Sequence, residues 1–197
     1  MPDRLYLLAI DPAEHSTGLS LFEFIDPREE RTWLRSGHAR ARNDQEAIDA
    51  LKGFLADIVP TYVVMERDTN PNNRAAIESL AVCRRIWKDA LLAIGVPERV
   101  IFTAAPQSWQ SACGILGRNA RAIGNTKEAS LAIASQRFQC FFSTDDESDA
   151  TLMGDWWLAE GGPEGDEERR RKKRERAQVK KNRGGWDLED LKARGLI

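Results

Sequence analysis

Apolar residues fill positions 5–10 without a break (Leu5-Tyr6-Leu7-Leu8-Ala9-Ile10), and the run stops at Asp11-Pro12. A continuous apolar run of this length predicts a buried strand, and the proline ends it because it has no N–H for a ladder bond. Residues 17–25 predict a second strand with Gly18 near its start, and residues 32–39 alternate polar and apolar side chains as a third. The short connections make these three antiparallel neighbours. From Asn43 or Asp44 the period changes. Ile48, Leu51, Leu55 and Ile58 recur at spacings of three and four, which predicts a capped helix stopped by Pro60. Residues 62–65 form a short, wholly apolar strand of the kind covered on both faces, with Glu66 at its end.

A helical pattern over 74–94 ends at Gly95-Val96-Pro97, and a strand over 100–103 is closed by Pro106. Residues 107–126, with three glycines and two asparagines, predict a surface excursion. Helices follow over 127–138 and 144–158, the second with Thr144 and Glu147 at capping-box spacing. The order β-β-β-α-β-α-β-α-α predicts an α/β domain with a mixed five-stranded sheet. An antiparallel meander comes first, then parallel strands added through helical crossovers, with helices on the flanks. Gly161-Gly162-Pro163 ends this body, so residues 1–160 form the domain and 161–197 a basic tail, flexible or a solitary helix.

Charge sharpens that division. The 197 residues carry a formal net charge of −2 and are 42% hydrophobic, enough for an ordinary core. Residues 166–183 hold ten basic and four acidic side chains, a local +6, and the last fourteen residues carry −1, which leaves −7 on residues 1–165. An acidic body with a basic tail suits a polyanion held near a metal-binding centre. Cys83, Cys113 and Cys140 lie far apart with no C-x-x-C pair, which favours reduced thiols over a disulfide or zinc site. No stretch approaches the ~18 apolar residues of a membrane span, and no apolar leader precedes the first strand. The expected location is the cytoplasm, of a bacterium or an infected host cell.

Two apolar strands each end in an acid, Asp11 and Glu66. Asp146 and Asp149 stand three apart on one face of the last body helix, where the helix dipole favours negative charge. Each acid alone has a plain reading as a turn former, edge charge or cap. Converging, they would repel one another unless cations lay between them, and hard oxygen ligands select Mg²⁺ or Mn²⁺. Two such ions ~3.5–4 Å apart can activate a water and clamp a phosphate.

These residues resemble the motifs of the RuvC family of Holliday-junction resolvases, in particular its bacteriophage-type members. Leu8-Ala-Ile-Asp-Pro-Ala-Glu-His-Ser-Thr-Gly18 is similar to the family's first strand, and Val63-Val-Met-Glu66 to its second acidic strand. Asp146-Glu-Ser-Asp149-Ala150 is similar to its terminal D-x-x-D-A helix. Pro106-Gln-Ser-Trp109 and Asn125-Thr-Lys127-Glu128 bracket the matching segment between them. The resemblance implies a ribonuclease H-like fold, a homodimer and Mg²⁺-dependent cleavage of branched DNA, with Mn²⁺ able to substitute and two ions per active site. Asp11, Glu66, Asp146 and Asp149 would carry the metals, and Lys127 would approach the scissile phosphate. Ala13 replaces the glycine of the family's Asp-Pro-Gly, and Thr69 stands where many relatives have an aromatic wedge. Asp145 beside Asp146 leaves two candidates for one ligand position.

Arg67, Arg74, Arg84, Arg85, Arg118 and Arg121 are candidates for phosphate contact, against the plain reading of solvated arginines. Trp109 is weighed as a base-stacking group against core packing, with packing preferred. The run Arg169-Arg170-Arg171-Lys172-Lys173-Arg174 suits salt-sensitive DNA binding. Trp186, Leu188, Leu191, Leu196 and Ile197 form an amphipathic end suited to docking on the body, a dimer partner, or another replication or recombination protein. An actin-like phosphotransferase is the main rival, but it needs a second phosphate loop for which the chain has no room. A non-catalytic junction binder is a second rival. A related nuclease acting on flaps, forks or RNA–DNA hybrid is a third.

Overall fold

The computed structural model describes residues 4–28, 30–67, 74–116 and 125–184, without the side chains of 74–76 and 178–184. Five strands, β1 (Leu5–Asp11), β2 (Thr17–Phe24), β3 (Arg31–Ala39), β4 (Tyr62–Glu66) and β5 (Ile101–Ala104), form one sheet in the order β3-β2-β1-β4-β5. β2 is antiparallel to both β1 and β3, while β4 runs parallel to β1 and β5 parallel to β4. This is the mixed sheet expected. Four strands therefore point the same way, and the C-terminal ends of β1, β3, β4 and β5 share one edge.

Side chains alternate across a strand, so each face of the sheet collects every second residue. Leu8, Ile10, Leu19, Leu21, Val63 and Met65 turn toward helices α1 (Asp44–Leu55) and α2 (Arg74–Ala93) and meet Leu51, Leu55, Trp87 and Leu91. Leu7, Ala9, Phe22, Phe24 and Val64 turn the other way. They meet helices α3 (Pro106–Ala112), α4 (Thr126–Phe138) and α5 (Asp145–Ala159) through Trp109, Ala134, Met153 and Trp157. Each of the large side chains among them contributes about 1.5–3 kcal/mol when fully buried.

Two glycines set the approach of α5. A Cβ at Gly154 would lie 2.6 Å from Phe22 Cε2 and 2.9 Å from Ala9 Cβ, so the middle of the helix sits directly on the sheet. A Cβ at Gly18 would lie 1.8 Å from the Asp146 carbonyl oxygen, so the start of the helix rests on the backbone of β2.

Three expectations need correction. The segment after Pro106 opens as helix α3, with the proline in its first turn and Trp109 fully buried, rather than as a surface excursion. The glycine and asparagine content lies mostly beyond it, in 117–124, outside the described residues. The first helix stops at Leu55, short of Ile58, because Ala56 takes a positive φ of 53°. Thr144 does accept the Glu147 N–H at 3.2 Å, but the Glu147 carboxylate turns away to Ser36 and Ser143, so that capping box is half made. The complete one is at α4, between Asn125 and Glu128.

The chain divides into two compact units, Met1–Glu160 and Gly161–Ile197. The described part of the second is helix α6 (Gly162–Gly184), laced by ion pairs one turn apart: Arg170–Asp166 at 2.8 Å and Lys172–Glu168 at 2.7 Å. Among the described residues no helix is long and apolar enough to cross a membrane.

Candidate active site

The register of β1 and β4 pairs Ala9 with Val64 and Ile10 with Met65, which brings Asp11 and Glu66 to the next step of the same ladder. Ala9 and Val64 face α3, α4 and α5, so alternation turns Asp11 and Glu66 toward those helices as well. On the other side of β1, Asp11 pairs with Gly18, the residue on which the Asp146 carbonyl rests. Strand ends and helix start thus converge by backbone geometry alone. The predicted Asp11, Glu66, Asp146 and Asp149 are brought to one end of the sheet.

Polar side chains hold the acids. Trp109 Nε1–H donates to Glu66 Oε2 at 2.7 Å from a fully buried ring. Ser130, buried on α4, donates to Asp149 and lies 3.1 Å from the Ser148 hydroxyl, which in turn donates to the Asp145 carbonyl at 2.8 Å. Lys127 Nζ contacts Asp145 Oδ2 at 2.5 Å while its side chain stays 71% exposed, and this bond raises the lysine pKa.

The acids are out of balance with their surroundings. Burial pushes Asp11 well above the ordinary carboxylate range, and Glu66, Asp149, Asp146 and Asp145 push it further, in that order. Burial raises Asp149 to about 7; the Ser130 hydrogen bond opposes this and Asp145 and Asp146 reinforce it. Asp146 is raised by burial and then by Asp145. Glu147 behaves oppositely: burial would raise it, but hydrogen bonds from Ser36 and from both the hydroxyl and backbone N–H of Ser143 hold it below its usual value.

As the side chains stand, no three His, Cys, Asp or Glu groups among the described residues are gathered tightly enough to hold a metal ion. The donor set nonetheless fits one. It is all carboxylate oxygen, and its mutual repulsion is the kind that hard divalent cations relieve.

The remaining candidates are scattered. Arg67 follows β4 directly, exposed, its backbone N–H bonded to the Ala104 carbonyl at 2.9 Å. Arg74 opens α2, with its side chain outside the described residues, and Arg84 and Arg85 lie further along that helix. Arg118 and Arg121 lie outside the described residues, as do Thr69 and the apolar end from Trp186. Arg169, Arg170, Arg171, Lys172, Lys173 and Arg174 belong to α6 in the second unit. Sequence reasoning missed the roles of Trp109 and Ser130. The signal for Trp109 was chemical: a core tryptophan needs an acceptor for its N–H.

No protein-family model matches the chain, and no curated protein matches it either. Solved structures do. Thermus thermophilus RuvC in complex with a Holliday junction substrate matches with a TM-score of 0.58 at 11% identity, over 79% of this chain and 94% of that one. The fowlpox virus Holliday junction resolvase matches with a TM-score of 0.52 at 11% identity, over 78% and 97%. The yeast mitochondrial Holliday junction resolvase matches with a TM-score of 0.51 at 10% identity, over 78% of each chain. At such identities the likeness is one of fold, and the fold of this chain is the ribonuclease H-like fold of the RuvC-type resolvases.

Proposed function

We propose that this chain is a divalent-metal-dependent endonuclease that cuts branched DNA, with four-way junctions as its substrate. The observation that carries the reading is the crowding of the half-buried Asp11 by Glu66, Asp149 and Asp146 at the edge where β1, β4 and the start of α5 converge. Crowding four acids works against folding, so the arrangement makes sense as a cation site. Three structures sharing this fold are resolvases of Holliday junctions, which favours the substrate.

In this reading Asp11, Glu66, Asp146 and Asp149 hold two Mg²⁺ ions, with Mn²⁺ as a substitute. Bound there, the ions supply an activated water, charge neutralisation of the scissile phosphate and stabilisation of the leaving oxygen. The chain's own residues prepare the site. Trp109 fixes the rotamer of Glu66, and Ser130 that of Asp149. Lys127, paired with Asp145, sets a positive charge at the rim for the scissile phosphate. Arg67 and the basic run of α6 add backbone contacts. Resolving a four-way junction takes two nicks, one in each of two strands, which suits two copies of the chain acting as a homodimer. The amphipathic end from Trp186 suits docking on the body, on the dimer partner, or on another replication or recombination protein.

Synthetic four-way junctions, flaps, linear duplex and RNA–DNA hybrid incubated with the protein in Mg²⁺ test this. Paired nicks in the junction are expected, with Asp11→Asn and Asp146→Asn inactive and Asp145→Asn retaining most activity. Equal cutting of linear duplex would overturn the junction reading. Activity surviving both Asp11→Asn and Glu66→Gln would overturn the site.

A further inference from the structure

Phe141 is 89% exposed, more than any other large apolar side chain among the described residues. It lies in residues 139–144, the connection between α4 and α5. Lys127 meets Asp145, Ser130 meets Asp149 and Arg137 meets Asp155, so these two helices run parallel. Residues 139–144 must therefore climb back along α4, whose 13 residues rise about 20 Å. So short a stretch covers that distance only when extended, and side chains alternate along an extended chain. Phe142 turns inward, buried against Trp33 and Phe138 with ring centroids 5.9 and 6.4 Å away. Phe141 consequently turns outward, and the segment has no slack with which to fold it in.

The same segment is tied to the edge that carries the acids. The Ser143 backbone N–H donates to Glu147 Oε2 at 3.0 Å, and Ser143 Oγ lies 3.1 Å from His38 Nδ1 near the end of β3. His38 pairs with Gly18, which pairs with Asp11, so two interstrand spacings, roughly 10 Å, separate the backbones of His38 and Asp11. Arg40 follows directly after β3, exposed and with no ion pair among the described residues. Its guanidinium is charged whatever its neighbours do.

The surroundings of the ring select its partner. A protein partner would bury a contiguous apolar patch, but Phe141 stands among exposed polar residues, Gln139 and Ser143, with His38 and Arg40 beyond. A nucleobase offers one flat face to an aromatic ring and carries its own phosphate. At a branch point the duplex stack is interrupted, so a base there reaches such a platform at lower cost than one inside a helix. We propose that Phe141 is a stacking platform for a base at the branch of the DNA, with Arg40 holding a backbone phosphate of the same strand. This rests on the nuclease reading above for the choice of DNA as the partner. The ring is held out before DNA arrives, so little ordering is needed when the base stacks on it.

Binding of the full chain to synthetic four-way junctions, with Ca²⁺ in place of Mg²⁺, tests the proposal. Phe141→Ala should weaken binding about tenfold, Phe141→Leu should stay weak because it lacks a π face, and Phe141→Trp should restore affinity. Junctions carrying single abasic sites around the branch locate the base. Wild type is expected to lose a similar factor at one position, and Phe141→Ala to be indifferent to that same lesion. The slope of log K against log salt should be unchanged in Phe141→Ala and lower by about 0.9 in Arg40→Gln, the loss of one phosphate contact. Wild-type affinity in Phe141→Ala, with thermal unfolding also unchanged, would overturn the stacking role. So would a fall in sedimentation coefficient with the abasic effect intact, which would assign the ring to a protein interface. A wild-type slope in Arg40→Gln would overturn the phosphate contact. Abasic coupling without cutting in Mg²⁺ would overturn the nuclease reading and leave the platform standing, and wild-type protein that binds no junction overturns both.

Discussion

Trp109 and Glu66 are joined by a 2.7 Å hydrogen bond from an indole N–H whose ring is wholly buried. The bond connects the core under α3 to an acid at the sheet edge, and it fixes which way that acid points. Trp109→Phe keeps most of the packing and removes the donor. Stability should fall by about 1.5–3 kcal/mol, the range for hydrogen bonds to charged groups, at the lower end because Glu66 keeps access to water. The larger effect should be on metal use: loss of such an orienting partner costs about 10–100-fold in metal affinity or activity. Titration of cleavage against Mg²⁺ checks it, and an unchanged half-saturation point would show that the bond is only structural.

Gly18 is the second fixed point. A methyl group there would overlap the Asp146 carbonyl, which is backbone and cannot swing aside. Gly18→Ala should therefore lift the start of α5 from β2, costing about 1–3 kcal/mol as overpacking does. Because Asp146 and Asp149 travel with the helix, cleavage should fall further than stability. Thermal unfolding and junction cleavage measured together decide the point. Wild-type values in both would mean that α5 does not sit as closely as described.

The acids make a prediction about pH. In the unfolded chain Asp149 ionises near ~3.9, whereas in the fold its pKa is about 7. The folded state thus binds this proton more tightly, so the group's stabilising contribution is full below about pH 4 and is lost as pH rises through 7. Asp11 and Asp146 shift in the same direction. Glu147, depressed instead, is ionised in both states above pH ~5 and adds no slope there. Metal-free protein should show a Tm that declines between pH 5 and 8, and Asp149→Asn should flatten part of that decline. Mg²⁺ should raise Tm most at the alkaline end, where the site carries most charge. A flat metal-free profile would contradict the electrostatic account of the site.

How much of the fold and site is legible in the sequence depends on the kind of signal. The strands ending in Asp11 and Glu66 are readable because an apolar run with an acid at its end has few competing explanations, and their parallel pairing follows from the helix between them. Helix α5 is readable from Thr144 and the spacing of its acids. Helix α3 is not, since Gln107, Ser108, Gln110 and Ser111 give no apolar period and its one anchor is Trp109. The hold of Ser130 on Asp149 joins residues 19 apart in sequence, and that of Ser36 on Glu147 residues 111 apart. Such pairings depend on how α4 and β3 dock on α5, and no local pattern encodes them. The choice between Asp145 and Asp146 is open in the sequence for the same reason. In the fold they part: Lys127 engages Asp145, while burial raises Asp146 beside Gly18.

Helix α6 carries the last prediction. Its basic residues are not equivalent, because Arg170, Arg171 and Lys172 are paired with acids one turn away, Arg171 with Glu175 at 3.8 Å. Lys173 and Arg174 have no such pair among the described residues. Exposed pairs of this kind are worth ~0–1 kcal/mol, so DNA can break them, but each then leaves a carboxylate facing the phosphates. Lys173→Gln with Arg174→Gln should therefore lower the salt slope of DNA binding by close to ~0.9 per residue. Arg170→Gln with Lys172→Gln should lower it by less, and neither pair should change the Mg²⁺ dependence of cleavage. Equal slopes for wild type and the first double variant would remove α6 from the DNA interface.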